Sequence, residues 1–173
     1  YWLPIREDMA KSDSFFIRAS VDSDGVTYVQ SEIDLGSFVN LGVSKSTILR
    51  IHNVAASYFD QNLLTAPILK DADAKVSWQL TTQSQSDIVL PTNKSVVSSG
   101  SLVIKTGITP SQDYDMAPQD WTNGYLVGTD SMFLGIDLST TFDSGNVTVP
   151  IVMECTLEAA TQANSVALAL SQQ

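Results

Sequence analysis

The sequence has too few cysteines and histidines for several common kinds of site. Its 173 residues include one cysteine, Cys155, and one histidine, His52. A single cysteine excludes an intrachain disulfide, and the pair is too small a set for a zinc site held within one chain. We expect Cys155 to be a small buried side chain, with a disulfide between subunits as the alternative. We expect His52 to be a hydrogen-bonded strand residue without a catalytic role.

Clustered positive charge is also missing. Nine Lys and Arg stand against nineteen Asp and Glu, which gives a net charge of −10, and no two basic residues are adjacent. Phosphate backbones and anionic lipid surfaces are bound through clusters of Lys and Arg. No apolar run reaches the ~18 residues that would indicate a membrane span. We therefore expect no direct contact with nucleic acid and no membrane span.

What the sequence does contain is alternation of apolar and polar residues, the period of a β-strand. The clearest case is residues 147–159, where seven apolar side chains from Val147 to Ala159 occupy every second position. Pro150 within this run cannot donate to a β-ladder, so we expect it at an edge or a bulge. Further strands are predicted at residues 15–21, 26–39, 46–60 (with a bulge near Asn53), 75–82, 87–90, 101–105, 121–127 and 132–142, whereas 61–73 and 111–119 are predicted loops.

These strands predict an all-β fold in a single domain covering residues 1–173. Eight or nine strands, no linker and no fixed repeat indicate an antiparallel β-sandwich around one core. Long connections favour a jelly roll of about eight strands over an immunoglobulin-type sandwich. Residues 1–13 are expected to form an N-terminal arm.

The tail at 161–173 is a candidate assembly segment. Val166, Leu168 and Leu170 alternate as in a strand, although the alanine content also permits a short helix. The uncharged tail could pair with a neighbouring subunit, so these three residues and Pro150 are the candidate interface residues. On this interpretation, removing residues 164–173 abolishes assembly and leaves a folded monomer.

The search for ligand sites yields one weak metal candidate. Asp22 and Asp24 lie in an Asp-Ser-Asp-Gly run that resembles the start of a calcium loop, but the positions expected to supply further ligands are Val26 and Ile33. An EF-hand is therefore excluded. A looser calcium site and a plain hairpin turn remain as alternatives, and no other cofactor is expected.

Two patterns point to other activities. Trp121 and Tyr125 flank a turn at residues 121–125, which makes it the best candidate for an exposed aromatic site that stacks on a sugar. Asp113 and Asp115 would share one face of an extended segment, as a hydrolase with paired carboxylates would require. Loop solvation is the alternative explanation for that acidic pair, and we expect the protein not to be an enzyme.

Segments 14–39, 46–60 and 147–159 together resemble single jelly-roll viral capsid proteins. The resemblance implies a structural subunit of a virion that has no catalytic site and assembles with copies of itself, and with other coat or shell proteins. Unlike many such proteins, this chain has no basic N-terminal arm, which implies that genome contact falls to another component or an inner membrane. The alternatives are a filament, pilus or surface-layer subunit that adds a strand to its neighbour, and a carbohydrate-binding module, either of them at the cell surface or secreted.

Overall fold

The computed structural model describes residues 12–40, 45–60, 73–105, 110–142 and 145–172. The expected arm therefore lies outside the described residues up to residue 11, and the predicted loop over 61–73 lies outside them up to residue 72. The strands are β1 (Phe15–Asp22), β2 (Val29–Asp34), β3 (Lys45–Ala56), β4 (Phe59–Asp60), β5 (Ala74–Thr81), β6 (Val96–Ile104), β7 (Ser111–Met116), β8 (Tyr125–Val127), β9 (Ser131–Leu138) and β10 (Val147–Thr161). A 3-10 turn spans Pro118–Asp120, and one α-helix, α1, spans Gln162–Ser171.

The strands form two antiparallel sheets. One has the order β1-β10-β3-β8, with β4 also paired to β10, and the other has the order β2-β9-β5-β6-β7. If the short β4 and the edge strand β7 are set aside, the other eight strands renumbered along the chain have the orders 1-8-3-6 and 2-7-4-5. Each sheet thus alternates early and late strands, which is the arrangement of a jelly roll. The predicted all-β sandwich and its jelly-roll topology are confirmed.

The core lies between the two sheets and follows the alternation of the strands. On β10, the predicted inward set is buried from Val147 to Cys155. The pattern then changes, because Glu158 is buried while Ala159 is exposed. At this end α1 packs against β3 and β10, and the outward-facing Ile48 is buried too.

The bulge expected near Asn53 is present in β3. Glu154 of β10 pairs with Asn53, and the next residue, Cys155, pairs with Ile51, so His52 is the extra residue. A bulge of this kind lets one strand carry an additional residue without losing its partner.

Several element predictions are wrong. The strand expected over 26–39 is only β2, and residues 87–90 form no strand. The polar segment 111–119 contains β7, which pairs with β6 at the edge of its sheet. Nearly all of its side chains are exposed, so no apolar alternation marks it.

The expectation that Pro150 lies at a sheet edge is also wrong. β10 is an inner strand with β1 on one side and β3 and β4 on the other. Pro150 pairs with Ser20 of β1, and across from it lies the interruption between Ala56 and Phe59. Proline lacks a main-chain N–H, and this is tolerated at the interruption because no strand residue there requires a donor from position 150. Pro150 still accepts a hydrogen bond, from the main-chain N–H of Ser57 at 3.1 Å.

Side chains close the C-terminal end of the β3 edge, beyond the part that β8 covers. β8 pairs with Leu49–Ile51 only. Beyond it, Gln119 accepts from the main-chain N–H of Val54 and donates to its carbonyl, both at 3.0 Å. Tyr114 accepts from the N–H of Ala56 at 2.9 Å, and Gln112 donates to the Ala56 carbonyl at 3.2 Å. These side chains satisfy main-chain groups that would otherwise be open to another strand.

Candidate interaction site

The C-terminal tail is a helix, so the strand interpretation of its alternating residues is wrong. Thr161 caps the helix, its side chain accepting from the N–H of Asn164 at 3.2 Å. Val166 and Leu170 are four residues apart and share one face, where they are 42% and 62% exposed. Leu168 is only half-buried and faces Gly128. The helix has no charged residue, so it presents an apolar, uncharged outer face.

Gln172 anchors this helix to the sandwich. Its side chain, 4% exposed, accepts from the N–H of Gly128 at 2.9 Å and donates to the carbonyl of Leu126 at 2.6 Å. The hydroxyl of Thr82 donates to the Gln172 carbonyl at 2.9 Å. Removal of residues 164–173 would therefore strip partners from buried groups of the sandwich. The deletion expected to leave an undisturbed monomer would also weaken the fold, so surface substitutions test the tail better.

The turn at 121–125 displays Trp121 and follows directly on the 3-10 turn at Pro118–Asp120, which short-range hydrogen bonds hold. The N–H of Ala117 donates to the Asp120 carboxylate at 3.0 Å, and the N–H of Trp121 donates to the Pro118 carbonyl at 3.1 Å. Trp121 is 50% exposed. Tyr125 is half-buried, and burial raises the pKa of its hydroxyl. A groove of about 400 Å³ runs past the turn and is lined by Pro91, Thr92, Asn93, Lys94, Val96, Met116, Trp121, Gly124 and Tyr125.

A second groove, of about 480 Å³, continues from Lys94, Gly124 and Tyr125 toward α1. Arg50 lies in it and forms a two-point ion pair with Glu158: Nε to Oε1 at 2.5 Å and Nη2 to Oε2 at 2.9 Å. The third guanidinium nitrogen, Nη1, donates to the main-chain carbonyl of Asn123. The buried carboxylate therefore fixes a cation that in turn holds the turn at 121–125.

The residues considered for nucleophilic chemistry are not among those that line the two grooves. His52 Nε2 is 2.9 Å from the hydroxyl of Thr156, and both side chains are half-buried. Cys155 is fully buried, and burial, with a smaller effect of Glu154, raises the pKa of its thiol to about 12. A thiol with so high a pKa is protonated at neutral pH and is a poor nucleophile. Asp113 and Asp115 lie on the edge strand β7 with their side chains exposed, where water solvates both carboxylates.

The calcium candidates are separated by their local structure. Asp22 is on β1 and its carboxylate accepts from the hydroxyl of Thr148 at 2.5 Å. Asp24 begins a turn that pairs with Thr27 and uses the positive φ of Gly25, 57°. Within the described ranges, no group of three or more His, Cys, Asp or Glu side chains is placed to hold a metal ion. Asp24 and Thr27 close a tight turn, but β1 and β2 belong to different sheets, so the run connects the two sheets and is not a hairpin. A calcium site at Asp22 and Asp24 stays a prediction.

Sequence reasoning found Trp121 but missed the groups that support it. Arg50 and Glu158 are 108 residues apart, and Gln172 reaches Gly128 across 44 residues. Each is an ordinary residue in its own segment, so no local signal marks it. None of the helices in the part of the chain that the structure describes has both the length and the apolarity that crossing a bilayer requires.

Strand order and layering define the chain as a jelly-roll β-sandwich protein. No protein-family model and no curated protein sequence matches it. Among solved structures it is similar to human polyomavirus 12 VP1 in complex with 3'-sialyllactosamine, with 9% identity, 86% of this chain and 100% of that chain covered, and a TM-score of 0.48. It is also similar to VP1 of trichodysplasia spinulosa-associated polyomavirus in complex with GM1 oligosaccharide, with 10% identity, 84% of this chain and 93% of that chain covered, and a TM-score of 0.47. A third similar structure is that of turnip yellow mosaic virus, with 13% identity, 86% of this chain and 96% of that chain covered, and a TM-score of 0.35.

Proposed function

We propose that this protein is a structural subunit that assembles with copies of itself into a viral capsid shell, and that its location is the virion. Jelly rolls build viral capsids, but they also build lectins and cupins, so the fold alone does not decide. The observation that carries the proposal is the apolar face of α1, which is fixed to the outside of the jelly roll by Gln172. An uncharged face of this kind suits contact with another subunit.

Composition supports the same proposal. A metal-dependent enzyme with two histidines and a carboxylate would need a second histidine, and the chain has one. The net charge of −10 disfavours wrapping of nucleic acid by this chain. Genome contact then falls to another component, and other shell proteins are expected partners.

The decisive experiment is the size and shape of the native assembly. Light scattering gives the mass, and negative-stain imaging distinguishes closed shells from linear polymers. Closed particles support the capsid proposal. Linear polymers would favour a filament or pilus subunit, and a monomer at every concentration would overturn self-assembly altogether.

The helix face gives a sharper prediction. Val166→Lys combined with Leu170→Lys is expected to leave a folded monomer that forms no particles, because two ammonium groups would have to be buried at the contact. Ala167→Lys with Ser171→Lys is the matched control: it adds the same charge to other exposed positions of the same helix. Circular dichroism checks the fold, and light scattering checks assembly. Normal particles from the Val166/Leu170 variant would exclude this face as the contact.

We propose a carbohydrate-binding module as the second candidate, because Trp121 is half-exposed in a groove of about 400 Å³. That volume suits a small ligand, and the polar residues Asn93 and Lys94 line the same groove as Trp121. A glycan that binds there is expected to shift tryptophan emission, and Trp121→Ala is expected to abolish both the shift and the binding. Lys75→Ala, an exposed change on β5, is the control. Glycan binding that survives in Trp121→Ala would reject this site.

A further inference from the structure

Asn123 and Gly124 form the single asparagine–glycine pair of the sequence. In such a pair the glycine has no side chain to shield its main-chain nitrogen, so that nitrogen can approach the asparagine side chain. Every other asparagine in the chain is followed by a residue that carries a side chain. Asn123 is also exposed, and Gly124 takes a positive φ of 65° at the end of the turn. Access and sequence both favour an intramolecular reaction at this position.

A second, independent feature is the contact of Arg50 with this same peptide bond. Arg50 Nη1 donates to the carbonyl of Asn123, which belongs to the amide that joins Asn123 to Gly124. A cation on an amide oxygen stabilises the deprotonated amide, because the negative charge resides largely on that oxygen. Glu158 holds the guanidinium in place through two hydrogen bonds. The Gly124 nitrogen is therefore activated by a fixed group.

We propose that Asn123 is a site of spontaneous deamidation and that Arg50 promotes the reaction by acidifying the Gly124 amide. Hydroxide removes the amide proton, and the Gly124 nitrogen attacks Cγ of Asn123. The new N–Cγ bond closes a succinimide ring while the Cγ–Nδ2 bond breaks, and Nδ2 takes a proton from water and leaves as ammonia. Water then opens the ring at either carbonyl and yields aspartate or isoaspartate. The net change is one water consumed and one ammonia released, with no oxidation.

The surroundings restrain the reaction weakly, stabilise the new carboxylate and oppose the longer main chain of the isoaspartate form. The Gly124 N–H donates to the Trp121 carbonyl at 3.3 Å, a long hydrogen bond that must open first. The new carboxylate would lie in the groove that Arg50 and Lys94 line, where both cations lower its energy. The isoaspartate product lengthens the main chain by one carbon, the Cβ of residue 123, next to Gly124, which is packed so closely that a Cβ on Gly124 itself would lie 2.3 Å from the Ile51 carbonyl oxygen. The modification therefore strains the pairing of Ile51 with Tyr125.

The test is peptide mass spectrometry of the full-length protein during incubation at mildly alkaline pH. Asn123 is expected to be the first asparagine to convert, in both aspartate and isoaspartate forms. Arg50→Lys keeps a cation for Glu158 but loses the planar fork, and it is expected to slow conversion roughly three- to tenfold. Near-ultraviolet circular dichroism checks that this variant is folded. If it is not, Arg50→Gln with Glu158→Gln removes the whole pair and carries the same expectation.

Two results would overturn the proposal. If other asparagines convert while Asn123 stays intact, the folded turn protects the pair. If Asn123 converts at the wild-type rate in a folded variant without the Arg50 contact, the guanidinium does not promote the reaction. Asn123→Gln serves as the control, because its side chain should show no conversion at this position on the same timescale.

Discussion

Replacing Trp78 with alanine is expected to lower the free energy of unfolding by about 3–5 kcal/mol, the usual cost of removing a large buried aromatic side chain. Trp78 lies on β5 and is 1% exposed. Its indole N–H donates to the Tyr58 hydroxyl at 2.9 Å, and its ring meets Tyr114 edge to face with centroids 5.9 Å apart. The substitution leaves a cavity between the sheets and a buried hydroxyl without its donor.

Urea denaturation followed by far-ultraviolet circular dichroism measures this loss. Trp121→Ala is the matched control because the same side chain is removed from a half-exposed position. The loss of unfolding free energy in Trp78→Phe is expected to lie between those of Trp78→Ala and Trp121→Ala, since this variant keeps a ring in the core but loses the hydrogen bond to Tyr58. Equal losses for Trp78→Ala and Trp121→Ala would contradict the core position assigned to Trp78.

Arg50→Met is expected to cost about 3 kcal/mol of stability, because it takes away the guanidinium that holds both oxygens of the buried Glu158 carboxylate. The Glu158 side chain is 3% exposed and that of Arg50 is 17% exposed, so water cannot readily replace the guanidinium. The double variant Arg50→Met with Glu158→Leu removes both charges and is expected to recover most of the loss. A double-mutant cycle from denaturation curves gives the coupling between the two residues. An undiminished cost in the double variant would show that packing, not charge, explains the loss.

Alternation along the sequence was enough to predict the inner parts of the fold. Val149 and Met153 were correctly placed in the core because both sheets bury one face of their strands, and period two is then imposed by packing. The bulge at His52 was also visible, as a change of parity near Asn53. Local sequence carried these features because each depends on which face of a single strand is buried.

Features that depend on distant partners were not predictable. β7 has exposed side chains on both faces and is a strand because β6 offers it main-chain partners. The tail fits a strand or a helix by composition, and the anchoring of Gln172 on Gly128 selects the helix. In the candidate site, Trp121 was found because aromatic residues flank a turn. The Arg50–Glu158 pair was not, because neither residue marks its segment.

The closed edge of β3 has a consequence for crowding. In the shell that we propose, copies would stay at very high local concentration for long periods, and an open row of amides would seed cross-β fibrils under such conditions. The side chains of Gln119, Gln112 and Tyr114 form hydrogen bonds with the main-chain N–H and carbonyl groups of Val54 and Ala56. This flank of β3, its C-terminal edge, therefore leaves those groups closed to a strand from another copy. The molecule can therefore be packed densely on this flank without the ordered stacking that turns concentrated β-proteins into insoluble deposits.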